Sequence, residues 1–201
     1  MKQLFLLALL FVGMDLNAQA NKALSYVDAM QKKYKAIPSF SANFSYQLEG
    51  SSWMNGSILV KGNKFRLKTG GQEIFNNGKE IATYIKEINE VNLNVVDPSD
   101  NDINPAKIYS FDKKSYKINL VSDQGSLAVL ELAPNNKNAN MQKITVKIAK
   151  ASKEVKEWVI TNKSGKKQWF KVTKFAAANT DDKSFNFDKK LFPGVEVNDL
   201  R

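Results

Sequence analysis

A mainly β fold with some α is what the sequence predicts: an incomplete, half-open antiparallel β-barrel of about ten to eleven strands, with two or three short helices lidding an apolar concavity. Three observations predict it. Apolar and polar residues alternate over most of the chain, turn dipeptides interrupt the alternation about every seven to fourteen residues, and helical periodicity is confined to two segments. A long antiparallel sheet with one apolar face must curl or close to hide that face and its edges. Amphipathic helices are then its natural cover.

The first helix is expected from Asn21 to about Ala36, where Leu24, Val27, Met30 and Tyr34 recur at helical spacing and Pro38 ends the pattern. A second, shorter helix is expected to start at Asn104, with Pro105 in its first turn and Ile108, Tyr109 and Phe111 as its apolar members.

In the first strand Phe40, Ala42, Phe44, Tyr46 and Leu48 share one face, and Ser41, Asn43, Ser45, Gln47 and Glu49 the other. Ile58 with Val60, Phe65 with Leu67, and Val91, Leu93 and Val95 continue the pattern. Asn55-Gly56, Gly70-Gly71 and Asn77-Gly78 read as tight turns, the last as a two-residue hairpin between Ile74-Phe75 and Ile81 to Ile85. Later strands are expected over Ser115 to Val121, Ser126 to Leu132, Gln142 to Ala149, Glu154 to Thr161 and Lys167 to Ala176. The tail, Phe185-Asn186-Phe187 followed by Pro193 to Arg201, reads as a short strand, a Pro-Gly turn and a final strand able to close a sheet edge.

With 201 residues, 43% of them apolar and 25% charged, the chain suits one domain. Lys2, an apolar run from Leu4 to Met14 and the small-x-small triplet Ala18-Gln19-Ala20 read as a signal peptide over residues 1–20, which leaves a single domain over 21–201. That run falls well short of the roughly 20 residues a membrane-spanning helix needs. The chain has no cysteine, which excludes disulfides, thiolate metal sites and an acylated-cysteine anchor. Its net charge of +10 is nearly all lysine, Arg66 and Arg201 being the only arginines, so nucleic acid is not expected as a partner. Scattered lysines read first as solvated surface, and secondarily as a source of transient contact with anionic membrane surfaces or acidic partners.

Histidine is absent too, which removes the commonest general base and the Ser-His and Cys-His nucleophile pairs. No phosphate loop, nucleophile elbow or dinucleotide fingerprint is present. The loop Asp97-Pro98-Ser99-Asp100-Asn101-Asp102 lacks the glycine and terminal glutamate of an EF-hand, and Glu87 and Glu90 read as flanking a solvated turn. No catalytic residue, metal or cofactor is expected.

Four blocks carry a resemblance to a known family. Ser39-Phe40-Ser41-Ala42-Asn43-Phe44 is similar to an "SF-x-A-x-F" entry strand. Gly56 to Lys61 with Lys64-Phe65-Arg66 is similar to a "G-x-L-x-V-K-R-P-x-x-F-R-W" hairpin. Glu73 to Lys79, Tyr84 and Asn89-Glu90-Val91 resemble an "I-x-x-DGK-x-x-W-x-Y…Q-V" strand pair, and the tail resembles "F-x-F…PGV-x-V-x-DLR". Together they resemble the LolA family of periplasmic lipoprotein carriers. The resemblance implies a periplasmic, monomeric, non-enzymatic carrier. It would take acylated lipoproteins from an inner-membrane release complex and hand them to an outer-membrane acceptor. A carrier of another amphiphile (a glycolipid, a pigment ester or a free fatty acid) and a cargo-free sensor or interaction domain of the same fold are the alternatives.

The residues expected to line the cavity are Met30 and Tyr34 from the first helix, Phe40, Phe44, Ile58, Val60, Phe65 and Leu67 from the sheet, and Ile108 and Phe111 from the second helix. Chemically each serves equally well as core. Two departures from the family pattern bear on the lid: its latch arginine falls on Gly62, with Asn63 in place of proline, and the tryptophan after "F-R" is Leu67. Glycine cannot make that latch.

Overall fold

The computed structural model describes residues 2–97 and 106–201, with side chains from residue 19 onward. Among them, one α-helix, α1 (Lys2–Lys35), precedes twelve strands: β1 (Ser39–Leu48), β2 (Met54–Lys61), β3 (Lys64–Thr69), β4 (Gln72–Asn76), β5 (Glu80–Ile85), β6 (Glu90–Val95), β7 (Tyr116–Ser122), β8 (Leu127–Pro134), β9 (Met141–Ala149), β10 (Val155–Asn162), β11 (Lys167–Ala177) and β12 (Glu196–Asp199). The strand order is β12-β6-β5-β4-β3-β2-β1-β11-β10-β9-β8-β7, an open sheet as the expected half-open barrel requires. Sequential hairpins are antiparallel, whereas β12 runs parallel to β6. No helix of the described residues is long and apolar enough to cross a membrane.

The chain forms two compact units, Met1–Tyr34 with Asp112–Lys167, and Lys35–Phe111 with Gln168–Arg201. In the first, β7 to β10 form an antiparallel meander whose rows Ile118–Leu132–Ile144, Leu130–Val146–Trp158 and Ala128–Ile148–Val155 are buried. Helix α1 ends one residue before the expected position and buries Ala23, Val27, Met30 and Tyr34, a stripe at spacings of four, three and four. Polar anchors fix it to the same unit. The Tyr26 hydroxyl donates to Asp123 Oδ1 at 2.7 Å, Lys33 pairs with Glu154 at 2.9 Å, and Lys22 and Lys113 pair with Asp123 and Asp28. Hydrogen bonds from Lys22, Tyr26 and Lys150 hold the Asp123 carboxyl well below the usual carboxylate range.

In the second unit the order is β12-β6-β5-β4-β3-β2-β1-β11. Gly70-Gly71 turns β3 into β4 as expected, with Gly71 at φ +86°. The next hairpin slips one residue: Asn76 pairs with Ile81, so its tip is Gly78-Lys79, and Asn77 Oδ1 accepts from the N–H groups of Lys79 and Glu80.

Three expectations are corrected. Asn55-Gly56 is no turn but lies inside β2, opposite Ser45 and Phe44. Glycine is needed there for space rather than for a turn: a Cβ would meet Phe44 Cε2 at 2.6 Å and the Lys68 carbonyl at 2.8 Å. The second helix is not formed in the described residues 106–111, where Ser110 N–H donates to the Lys107 carbonyl at 3.0 Å in a turn. A lone i→i+3 bond closes a turn without propagating a helix. Asn104 and Pro105, its expected start, lie outside the described residues. Phe185 ends a 3₁₀ turn, Asp182–Phe185, rather than opening a strand, because Asp181 caps it by accepting from Lys183 N–H at 2.9 Å.

Candidate ligand-binding face

Register assigns every side chain of the second unit's sheet to one of two faces. On the first face, Phe40 opposes Val60 and Val60 opposes Phe65, while Ala42 opposes Ile58 and Ile58 opposes Leu67. On the other side of β1, Ala42 opposes Phe175 and Tyr46 opposes Phe170. Phe40, Ala42, Phe44, Tyr46, Ile58, Val60, Phe65, Leu67 and Phe170 are all buried.

The rings form two groups on this face. Phe40 lies 5.2 Å from Phe175 and 5.1 Å, edge-on, from Tyr109, and Phe44, Tyr46 and Phe170 are mutually 6.0 to 6.2 Å apart. The hydroxyl that β1 brings to this face is satisfied, since the Tyr46 oxygen accepts from Gly70 N–H at 2.7 Å. The Gly56 gap is what admits the Phe44 ring.

Six of the residues expected from sequence, Phe40, Phe44, Ile58, Val60, Phe65 and Leu67, therefore share one face. Ile108 and Phe111, also buried, come from the turn-containing segment that carries Tyr109 against Phe40. Met30 and Tyr34 belong to the first unit, where burial pushes the Tyr34 phenol up and its oxygen accepts from Val155 N–H at 3.2 Å. Sequence reasoning missed Phe170, Phe175 and Tyr109. A β-bulge in β11, where Asn43 pairs with Lys174 but Phe44 with Val172, puts Phe170 and Phe175 on one face, although strict alternation would separate them.

Beyond β3 the buried side changes. Phe75 opposes Ala82 and Ala82 opposes Leu93 on the second face, together with Tyr84 and Val91. The tail covers them, with Val195 buried and Phe187, Phe192 and Val197 packed on the same cluster. Phe75 lies 5.9 Å from Phe187 and 6.1 Å from Phe192, both edge-on, and Tyr84 lies 4.5 Å from Phe192. On these strands the first face mixes Ile74, Ile81 and Ile85 with Thr83, Asn92 and Asn94, all half-buried, and Asn198 of β12 donates to Asn92 Oδ1.

Charges fix the tail's entry and exit. Asp182 takes Lys61 at 2.7 Å and Lys64 at 2.6 Å, whose hydrogen bonds pull its carboxyl down to about 2. Arg201 pairs with Glu80 and Asp199.

Gly62 and Asn63 form the two-residue tip between the paired Lys61 and Lys64, with Gly62 at φ +59°. Positive φ at the first tip position alone is the type II′ turn, which selects glycine. The position read as a lost latch is thus also a turn requirement. Arg66 is placed on the second face, paired with Glu73 and with its guanidinium carbon 4.8 Å from the Phe75 ring centroid.

Of the acidic groups weighed for chemistry, Glu90 accepts from Asn198 Nδ2 and Glu87 is exposed in a turn. Asp100 and Asp102 lie outside the described residues, among which no group of three or more acidic side chains could hold a metal.

Known proteins now bear on this geometry. The family model described as outer membrane lipoprotein carrier protein LolA matches residues 35–188, which contain every block of the resemblance except the tail beyond Asp188. No curated protein matches the chain. Among solved structures, an uncharacterized conserved protein from Thermus thermophilus superposes with a TM-score of 0.61 at 14% identity, over 89% of this chain and 99% of that one. MucB superposes with a TM-score of 0.50 at 15% identity, over 84% of this chain and 63% of that one. A LolA superfamily protein from Nitrosomonas europaea gives 0.45 at 13% identity, over 82% and 97%. At these identities the likeness is one of fold, whereas the family match spans most of the chain and takes in the whole first face of β1 to β3, so the chain belongs to the LolA family.

Proposed function

We propose that the protein is a periplasmic carrier that holds the acyl chains of lipoproteins against the first face of β11, β1, β2 and β3 and moves them from the inner to the outer membrane. The observation that supports this most is the unbroken aromatic and aliphatic lining of that face in a chain of the lipoprotein-carrier family. Residues 1–20 act as the export signal and 21–201 as the carrier. Acylated lipoproteins, an inner-membrane release complex and an outer-membrane acceptor are its partners, and no catalytic step is involved.

The energetics suit such a face. At about 0.8 kcal/mol per buried methylene, a sixteen-carbon chain gains roughly 12 kcal/mol gross on leaving water. A wall of rings and aliphatic groups whose Tyr46 hydroxyl is already satisfied internally offers little polar grip, so release needs no hydrogen bond from that hydroxyl to cargo to be broken. With glycine at the family's latch position, release does not use that arginine.

The test is uptake by delipidated protein. An acylated lipoprotein should form a soluble complex on size-exclusion chromatography and its unacylated form should not; indifference to both would overturn the proposal. Mass spectrometry of co-purifying lipids identifies the cargo, and a glycolipid or free fatty acid there would redirect the reading to another amphiphile.

A further inference from the structure

The second face of β11, β1, β2 and β3 lies opposite the apolar wall and has its own character. At the β1–β2 hairpin that adjoins it, Trp53 is 45% exposed. The Lys171 ammonium sits 4.9 Å from the Trp53 ring centroid, a cation–π contact. Aromatic rings beside lysines are the side chains that sit at a bilayer's headgroup level.

Register carries the polar surface onward from there. Lys171 opposes Ser45, whose hydroxyl bonds Asn55 at 3.1 Å. One step of the pleat further, about 7 Å away, Lys174 opposes Asn43, Asn43 opposes Ser57 and Ser57 opposes Lys68. A furrow of about 220 Å³ opens there, lined by Ser41, Asn43, Ser57, Arg66 and Lys68 along with Ile58 and Leu59. It is smaller than the roughly 300–1,000 Å³ of ligand pockets and rich in hydroxyl, amide and cationic groups, which suits a phosphate headgroup better than a hydrocarbon chain.

Carboxylates on this face are outnumbered. Asp182 serves both Lys61 and Lys64, and Glu73 both Arg66 and Lys68.

We propose that this face and the adjoining hairpin tip dock on an anionic phospholipid bilayer, with Trp53 entering the interface and the furrow and its lysines holding headgroup phosphates. The complementarity is of charge, cationic protein surface against anionic lipid, and it uses the face that the proposed cargo wall does not, so the docking stands or falls independently of the cargo.

The experiment mixes the protein with vesicles of phosphatidylcholine alone or mixed with phosphatidylglycerol, and reads binding by co-sedimentation. Binding is expected only with phosphatidylglycerol, and it should weaken as salt is raised. Trp53→Ala should weaken it about tenfold, and Lys68→Glu with Lys174→Glu by more than tenfold, given roughly fivefold per lysine lost. Lys117→Glu with Lys137→Glu changes net charge equally in the other unit and should shift binding less than about twofold. All four positions are exposed, and thermal melts verify that the variants fold. Equal binding to neutral vesicles, no binding to either, an unchanged Trp53→Ala or equal losses from the two double variants would each overturn the proposal.

Discussion

In β1 to β3 the buried side chains are Phe40, Phe44, Ile58, Val60, Phe65 and Leu67 on the first face, whereas in β4 to β6 Phe75, Ala82 and Val91 are buried on the second. The hydrogen-bonded ladder runs unbroken from β3 to β4, yet the apolar side has changed. The difference lies in what each region is packed against. Residues 187–197 close β4 to β6 into a finished core in which Phe75 meets the rings of Phe187 and Phe192 edge-on while those two stack on each other. Family-like tail residues therefore build structure, and the proposed ligand face is left to β11 and β1 to β3.

The largest expected effect is that of Phe75→Ala, which empties the centre of the tail-covered core. It should cost about 3–5 kcal/mol in denaturant unfolding while the folded fraction still takes up acylated cargo. Loss of uptake without loss of stability would collapse the distinction between the two regions. Gly56→Ala strikes the other region. By forcing Phe44 or the Lys68 carbonyl to move it should cost about 1–3 kcal/mol and also lower cargo affinity, measured by titration with a labelled acyl chain. Stability lost with affinity intact would mean that this wall is core alone.

Gly62→Arg places the family's latch residue at a left-handed tip position, and should cost about 1–2 kcal/mol. A Cβ there meets open space, so the cost is backbone strain. Uptake should be unchanged, and slower release to an acceptor would show that the latch can be rebuilt.

The smallest effect is electrostatic. The Asp182 carboxyl, at about 2 when folded, lies below the roughly 3.9 of an unfolded aspartate. Its stabilisation is therefore present above about pH 4 and lost as pH falls through about 2. The melting temperature should fall across that window in the parent and stay flatter in Asp182→Asn. Equal slopes would release the tail from its anchor at the β2–β3 hairpin.

Much of this was legible in the residues. Expected strands over Gln142 to Ala149, Glu154 to Thr161 and Lys167 to Ala176 match β9, β10 and β11 to within a residue or so, because alternation and turn chemistry are local. Asn55-Gly56 misled for a physical reason: glycine serves both turns and close approach, and only the position of the Phe44 ring distinguishes them. The second helix failed because apolar residues at helical spacing, Ile108 and Phe111 among them, bury equally well from a turn. Phe175 went unseen because one extra residue in β11 reverses the phase of everything after it.

By itself the sequence determined which side chains share a face in the strands without a bulge, the absence of histidine and cysteine chemistry, and the family. Tertiary structure alone decided which face is buried in β4 and β5. In β4 and β5 both faces carry apolar residues, Ile74, Ile81 and Ile85 on one and Phe75, Ala82 and Tyr84 on the other, so periodicity is silent. The choice is made by a tail about a hundred residues downstream in sequence, where Phe187, Phe192 and Val195 come to rest on the second face. There burial is a property of what arrives from elsewhere in the chain, and no local pattern encodes it.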